Sequence, residues 1–233
     1  MSTPHTASPP RPPQHRPAAL YAGALAVCSA LLLALVAVEW RPLLGLDGDI
    51  SRTTHRWAVA EPGLTRTARI LTDWVWDPWT MRVLCGVAAG LLAWRYADRW
   101  TAAWLVLTVA VGTAVQQGLK AALGRARPVW PDPVDSAHYA AFPSGHAMTA
   151  TVVCGLLLWL LRRSGVDRAL WRAALAVAVV SVAGVGLTRV WLGVHWPTDV
   201  VGGWLFGALL VTGAVVVHKQ RHPDRRRSLP RSR

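Results

Sequence analysis

Charge is what this sequence is short of. Only 16% of its 233 residues are charged, against about a quarter in an average globular chain, a deficit that argues against a soluble domain. Cysteine is scarce as well. Cys28, Cys85 and Cys154 stand alone in separate apolar stretches with no metal-ligand spacing among them, and each reads as a small buried hydrophobe. The 12 acidic residues form no cluster of the kind that holds a metal. No internal repeat recurs at a fixed period. The first apolar stretch runs into Glu39-Trp40-Arg41-Pro42 without a small-residue cleavage site, so it reads as a retained span, not a cleaved signal peptide.

What is present is apolar and comes in blocks. Ala18 to Val38, Val83 to Trp94, Thr101 to Leu119, Ala147 to Leu161, Ala173 to Thr188 and Val200 to Val217 contain no charge. A bilayer core of about 30 Å needs roughly 20 apolar residues at 1.5 Å each, and the shorter blocks reach it with a turn of Thr, Ser or snorkelling Arg. The expected fold is all-α: a polytopic membrane protein with six transmembrane helices, the block at Val83 being the shortest. Residues 1–17, rich in Pro, Ser, Thr and His, are expected to be a disordered cytoplasmic tail. The six-helix domain is expected over 18–217, with a basic cytoplasmic tail over 218–233. Between the first two spans lies a long connection, Glu39 to Thr80, with turn signals at Gly45, Asp47-Gly48 and Pro62-Gly63. A short interfacial helix is expected within Ile50 to Ala60, and Trp74, Trp76 and Trp79 suit a lipid–water interface.

The net charge of +13 does not point to nucleic acid. The basic residues sit at block ends and in the tail and form no stripe on a soluble face. With the amino terminus inside, fifteen of the 25 Lys and Arg residues fall on the cytoplasmic side and ten outside. Six of those ten surround the long first connection, where charges count for less. Both termini are therefore expected in the cytoplasm.

Three polar clusters interrupt the oily second half. Lys120 through Arg127-Pro128 ends the third span, and Phe142-Pro143-Ser144-Gly145-His146 opens the fourth. Thr188-Arg189 through His195 to Asp199 joins the fifth to the sixth. The end of span three, the start of span four, the end of span five and the start of span six must all face one side, so the clusters share one membrane surface. Lys120, Arg127 and Arg189 can surround an anion, Arg with forked hydrogen bonds to phosphate oxygens. Ser144 and Gly145 precede a helix, where a hydroxyl and backbone N–H groups add to the same site. His195 can attack phosphorus while Asp199 holds one ring nitrogen, and His146 can protonate the departing oxygen and then activate water. Arg125 reads as a snorkelling residue at a span end.

These residues resemble the type 2 phosphatidic acid phosphatase (PAP2) superfamily. Its three signatures correspond to Lys120 with Arg127-Pro128, to Pro143-Ser144-Gly145-His146, and to Arg189 with His195 and Asp199. The intervals match: six residues between Lys120 and Arg127, five between Arg189 and His195, three between His195 and Asp199. Thr188 departs from the usual Ser but keeps a hydroxyl. The likeness covers roughly 71–217. It implies a six-helix, haloperoxidase-like helical core in the cell membrane with its site on the periplasmic or extracellular face. It also implies a phosphohistidine on His195, His146 as acid then base, and Lys120, Arg127, Ser144, Gly145 and Arg189 as the phosphate pocket. No metal or cofactor is implied.

The expected activity is hydrolysis of a lipid phosphate or diphosphate. Undecaprenyl diphosphate is favoured, followed by phosphatidic acid and phosphatidylglycerol phosphate. A lipid-to-lipid phosphotransferase shares the first half-reaction and is not separable by sequence. A soluble haloperoxidase is disfavoured by the apolar blocks. An anion channel is disfavoured by the lack of polar residues deep in the spans. The oligomeric state is not legible. Specificity is expected in the Trp-bearing connection and in Val129 to Ala141.

Overall fold

In a computed structural model of the chain, which describes residues 16–221, the apolar blocks become helices that start and stop where the sequence supplies caps. Helix α1 spans Arg16–Ala37, α2 Arg41–Ala60 and α3 Pro62–Ile70, which runs into a π-helical turn over Leu71–Val75. Then come α4 (Pro78–Arg95), α5 (Arg99–Leu123), α6 (Gly145–Ser164), α7 (Arg168–Trp191) and α8 (Pro197–Arg221). Asp77, Asp98 and Asp167 cap α4, α5 and α7 by accepting backbone N–H groups of the first turn. Gly124, in the left-handed region at φ +56°, closes α5.

Among the described residues, five helices are long and apolar enough to cross a membrane: Ala19–Ala37, Arg99–Leu123, Gly145–Ser164, Arg168–Trp191 and Pro197–Arg221. The block at Val83 lies in α4, whose 18 residues carry Arg82 near the start and Arg95 at the end. It is not among the five. The expected tails are shorter than their sequence boundaries, because α1 already begins at Arg16 and α8 continues to Arg221. The rest of both tails lies outside the described residues.

The long first connection contains the helix expected within Ile50 to Ala60 and is helical well beyond it. It folds as α2 and α3, with Gly45, Asp47 and Gly48 inside a helix. The face that α2 buries is polar: Asp47, Ser51, His55 and Ala58 recur at helical spacing, while Leu46 and Trp57 point outward. Trp74 and Trp79 are exposed as an interfacial role requires, but Trp76 is buried in the core formed with α4, α5, α6 and α7. Its ring occupies the space over Gly184.

At the centre stands α6, packed against α4, α5, α7 and α8. Its own Val153 and Leu156 are fully buried in one cluster with Leu105 of α5 and Val185 of α7. The approach of α8 depends on glycine. A Cβ on Gly203 would lie 2.7 Å from the Ser144 carbonyl oxygen and 3.0 Å from the Met148 nitrogen. Close packing there fixes the start of α6 against the start of α8.

Candidate active site

The α5–α6 and α7–α8 connections meet at one end of the bundle, as the parity of the spans requires. His195 sits in the short turn between α7 and α8 and is 2% exposed. That turn is made by Gly193, at φ +68° with Trp130 packed where a Cβ would go, a conformation that favours glycine. One ring nitrogen of His195, Nδ1, lies 3.3 Å from Asp199 Oδ2, and the other, Nε2, lies 3.2 Å from Arg127 Nη1. An arginine can only donate. Nε2 is therefore assigned the lone pair and Nδ1 the proton, which it directs at Asp199. Burial pushes the imidazole well below the ordinary histidine range, and the charges of Arg127, Arg189 and Lys120 push it the same way. His195 is accordingly a neutral base with its lone pair turned toward cations.

Those cations come from three places. Lys120, on the last turn of α5, donates to the Ala140 carbonyl. Arg127 Nε donates to the Tyr139 carbonyl at 2.9 Å, and its Nη1 also reaches the Val194 carbonyl. Arg189, 4% exposed near the end of α7, has Asp135 3.9 Å away and a buried Nε with no hydrogen-bond partner among the described residues. Ser144 is fully buried at the start of α6, and its hydroxyl likewise has no partner among the described residues. Its backbone N–H donates to the Asp199 carbonyl at 2.9 Å, which ties the two helix starts together. Gly145 lies so close to Gln116 of α5 that a Cβ would meet the amide at 2.5 Å. His146, the second residue of α6, is half-buried. All eight sequence-predicted residues thus lie at the same end of the bundle. The cations, His195 and Asp199 are joined there by direct contacts or by mutual electrostatics.

The segment between α5 and α6 closes over this end. Trp130 donates to the Gly193 carbonyl at 2.9 Å, and His55 of α2 stacks on the Trp130 ring at 4.2 Å. Its Nε2 lies 3.0 Å from Asp132, and Arg69 of α3 donates to the Val134 carbonyl.

Two further residues belong to the site, and Arg125 corrects the sequence reading. Arg125 does not snorkel. It is held between two carboxylates, donating to Asp199 Oδ1 at 2.6 Å and to Asp47 Oδ2 at 2.8 Å, with Thr198 Oγ1 2.7 Å away. Asp47, 1% exposed, also accepts the Thr198 backbone N–H at 2.9 Å. Asp47 had passed as half of a turn signal. The signal that could have found it was the expected six-span topology, in which the end of the first span shares a face with the three clusters.

A helical, membrane-spanning chain whose histidine–carboxylate pair lies beside three cations at one end of the bundle defines a class: a membrane protein with a cationic pocket suited to an anion. The comparisons narrow it, since residues 101–223 match the PAP2 superfamily. Decaprenylphosphoryl-5-phosphoribose phosphatase of Mycobacterium tuberculosis is 33% identical over 165 residues, covering 68% of this chain and 81% of that one. Phosphatidylglycerophosphatase B of Bacillus subtilis is 26% identical over 184 residues, covering 77% and 86%. The crystal structure of a transmembrane PAP2 type phosphatidylglycerolphosphate phosphatase from Bacillus subtilis shares the fold. It has a TM-score of 0.68 and 24% identity, with 88% of this chain and 98% of that one covered. The chain belongs to the PAP2 superfamily.

Proposed function

We propose that this protein hydrolyses a lipid phosphate or diphosphate at the outer face of the cell membrane through a phosphohistidine on His195, without a metal. The observation that carries the reading is the orientation of His195: Nδ1 toward Asp199, the Nε2 lone pair toward Arg127. A phosphoryl group drawn in by Lys120, Arg127 and Arg189 meets that lone pair directly. The N–P bond forms as the P–O bond to the lipid breaks, and His146 gives its proton to the departing oxygen. Water then attacks phosphorus, His146 takes its proton, and the N–P bond breaks to release inorganic phosphate. Charge on the equatorial oxygens is met by the three cations and the Ser144 hydroxyl, the kind of electrostatic positioning on which phosphoryl transfer chiefly depends.

For the substrate, undecaprenyl diphosphate is favoured, with phosphatidic acid and phosphatidylglycerol phosphate next. The polyprenyl lipid in the mycobacterial relative's name supports the first, and the Bacillus relative's name supports the last. The test is phosphate release in detergent with a chelator present, comparing wild type with His195→Ala on these three lipids. The expected result is release by wild type and none by the variant. Undiminished release by His195→Ala would sink the mechanism. No free phosphate from wild type on any lipid would sink hydrolysis, and phosphate recovered on an acceptor lipid would establish transfer.

A further inference from the structure

Around Asp199, the partner of His195, lies a set of charge-assisted hydrogen bonds that the signature residues alone do not account for. Asp199 uses both carboxylate oxygens. Oδ2 takes the Trp196 N–H at 2.8 Å and faces His195 Nδ1, while Oδ1 takes Arg125 Nη1 at 2.6 Å. Arg125 is in turn held from behind by Asp47 at 2.8 Å, and its guanidinium lies 5.8 Å from the Trp196 ring centre. Asp47 also grips Thr198 through both its backbone N–H and its hydroxyl. Thr198 is the residue before Asp199, so the α2 carboxylate fixes the first turn of α8 in two ways. It orients the Arg125 side chain and it anchors the backbone that carries Asp199.

The geometry points to Asp47 and Arg125 as positioning residues for the proposed reaction. They hold the Asp199 carboxylate in the one orientation that keeps the His195 proton on Nδ1 and its lone pair on Nε2. This inference rests on the reading of His195 as nucleophile. A carboxylate that rotates freely can pair with His195 through either oxygen or turn away. With Oδ1 fixed by Arg125, Oδ2 is left for the ring. Partners that orient metal-bound histidines change affinity or activity about 10- to 100-fold when removed, and the orienting task is the same here; removing one member of a buried charged set also leaves the rest uncompensated. Arg125, Asp47 and Trp196 also border a cavity of about 280 Å³ near the α1–α2 elbow. Truncating either residue to alanine would therefore admit water, so shape-conserving changes make the cleaner test.

The experiment uses full-length protein in detergent and the lipid phosphate that wild type hydrolyses fastest among the three named above. Asp47→Asn and Arg125→Gln are each measured for kcat and KM, alone and combined with Asp199→Asn. We expect kcat to fall about 10- to 100-fold in each single variant, with KM within about twofold, because the partners of these two residues are Asp199, Thr198 and each other. In the Asp199→Asn background neither change should lower kcat further, since both act through that carboxylate. A general loss of folded protein would instead multiply through both backgrounds. That outcome, or a kcat within about twofold of wild type, overturns the inference. If Asp47→Asn does not fold, Arg125→Lys carries the test: it keeps the charge but cannot bridge both carboxylates, and kcat must fall while KM holds. Failure of the underlying reading looks different, since His195→Ala would then retain full activity.

Discussion

Gly203 gives the sharpest link between packing and chemistry in this fold. A Cβ there would stand 2.7 Å from the Ser144 carbonyl oxygen, 2.9 Å from the Ala147 Cβ and 3.0 Å from the Met148 nitrogen. Two of those three atoms are backbone and cannot swing aside. Ordinary contact begins at about 3.4 Å, so Gly203→Ala must open the gap by about 0.7 Å. Overpacking of this kind costs about 1–3 kcal/mol. Displacements approaching 1 Å at a reacting centre cost up to about 10²-fold in rate. The displacement acts across the site, because α6 carries Ser144 and His146 while α8 begins beside His195 and carries Asp199. We therefore expect kcat on a lipid phosphate to fall by on the order of tenfold. The detergent unfolding midpoint should fall by roughly 2–4 °C per kcal/mol. Gly213→Ala is the control: it lies in the same helix with nothing within 4 Å of its Cβ, and alanine there should be neutral or slightly stabilising. A Gly203→Ala protein that matches Gly213→Ala in both midpoint and kcat would refute the reasoning.

Arg127→Lys keeps the charge but loses the fork that spans Tyr139, Val194 and His195, and kcat/KM should fall by about 10²–10³. Steady-state kinetics check this, and a loss below about tenfold would contradict the assigned role. Asp135→Asn removes the carboxylate 3.9 Å from Arg189, which competes with an incoming phosphate. Inhibition by orthophosphate should tighten severalfold, and an unchanged inhibition constant would count against that competition. Stability should fall with acidity. Burial holds His195 well below its ordinary range, so below about pH 6.5 the unfolded chain binds a proton that the folded site refuses. Each further pH unit then costs up to about 1.4 kcal/mol, until the folded-state pKa is reached. Unfolding midpoints between about pH 7.5 and 5 should slope less steeply in His195→Gln than in wild type; equal slopes would refute the assignment.

The site was legible in the sequence to the extent that its residues sit at span ends. Helix parity alone puts Lys120, Arg127, Ser144, Arg189, His195 and Asp199 on one face, because an apolar run has only two ends. Arg125 was not legible as more than a snorkelling residue. An arginine closing an apolar run has the same local pattern whether it reaches water or a buried carboxylate, and its partners Thr198, Asp199 and Asp47 lie 73 to 78 positions away. Helix α2 was legible only in its second half, as the short helix expected within Ile50 to Ala60, and its first half was hidden for a related reason. Hydrophobic periodicity finds helices that bury an apolar face, whereas α2 buries Asp47, Ser51 and His55 and exposes Leu46, Trp57 and Val59. Its Gly45 and Asp47-Gly48 then read as turns, because propensity is a weak prior that tertiary context overrides. Trp76 failed in the opposite sense. An indole near a span end suits the interface as well as it suits a core, and only the bare surface of Gly184 shows which one holds it.

Lys120, Arg125, Arg127 and Arg189, the four buried or half-buried cations around His195 and Asp199, divide into two kinds, and on the proposed reading the division decides which of them meet an anion. Burying a charge is costly unless it is paired. Arg125 is fully paired, with carboxylates at 2.6 and 2.8 Å, so its charge is neutralised within the protein and serves geometry. Lys120 and Arg127 hold backbone carbonyls instead, and Arg189 has its carboxylate only at 3.9 Å. A carbonyl dipole satisfies a donor without cancelling its charge, so the positive field of these three remains directed at the space before His195. The acceptors they hold come largely from one segment, with Asp135, Tyr139 and Ala140 all between α5 and α6. A phosphate entering the pocket must displace those groups, and it replaces weak or neutral acceptors with a dianion at each cation. The free energy of binding therefore concentrates on the phosphoryl group and not on the lipid. That distribution suits a family whose members bear the names of chemically different lipid phosphates.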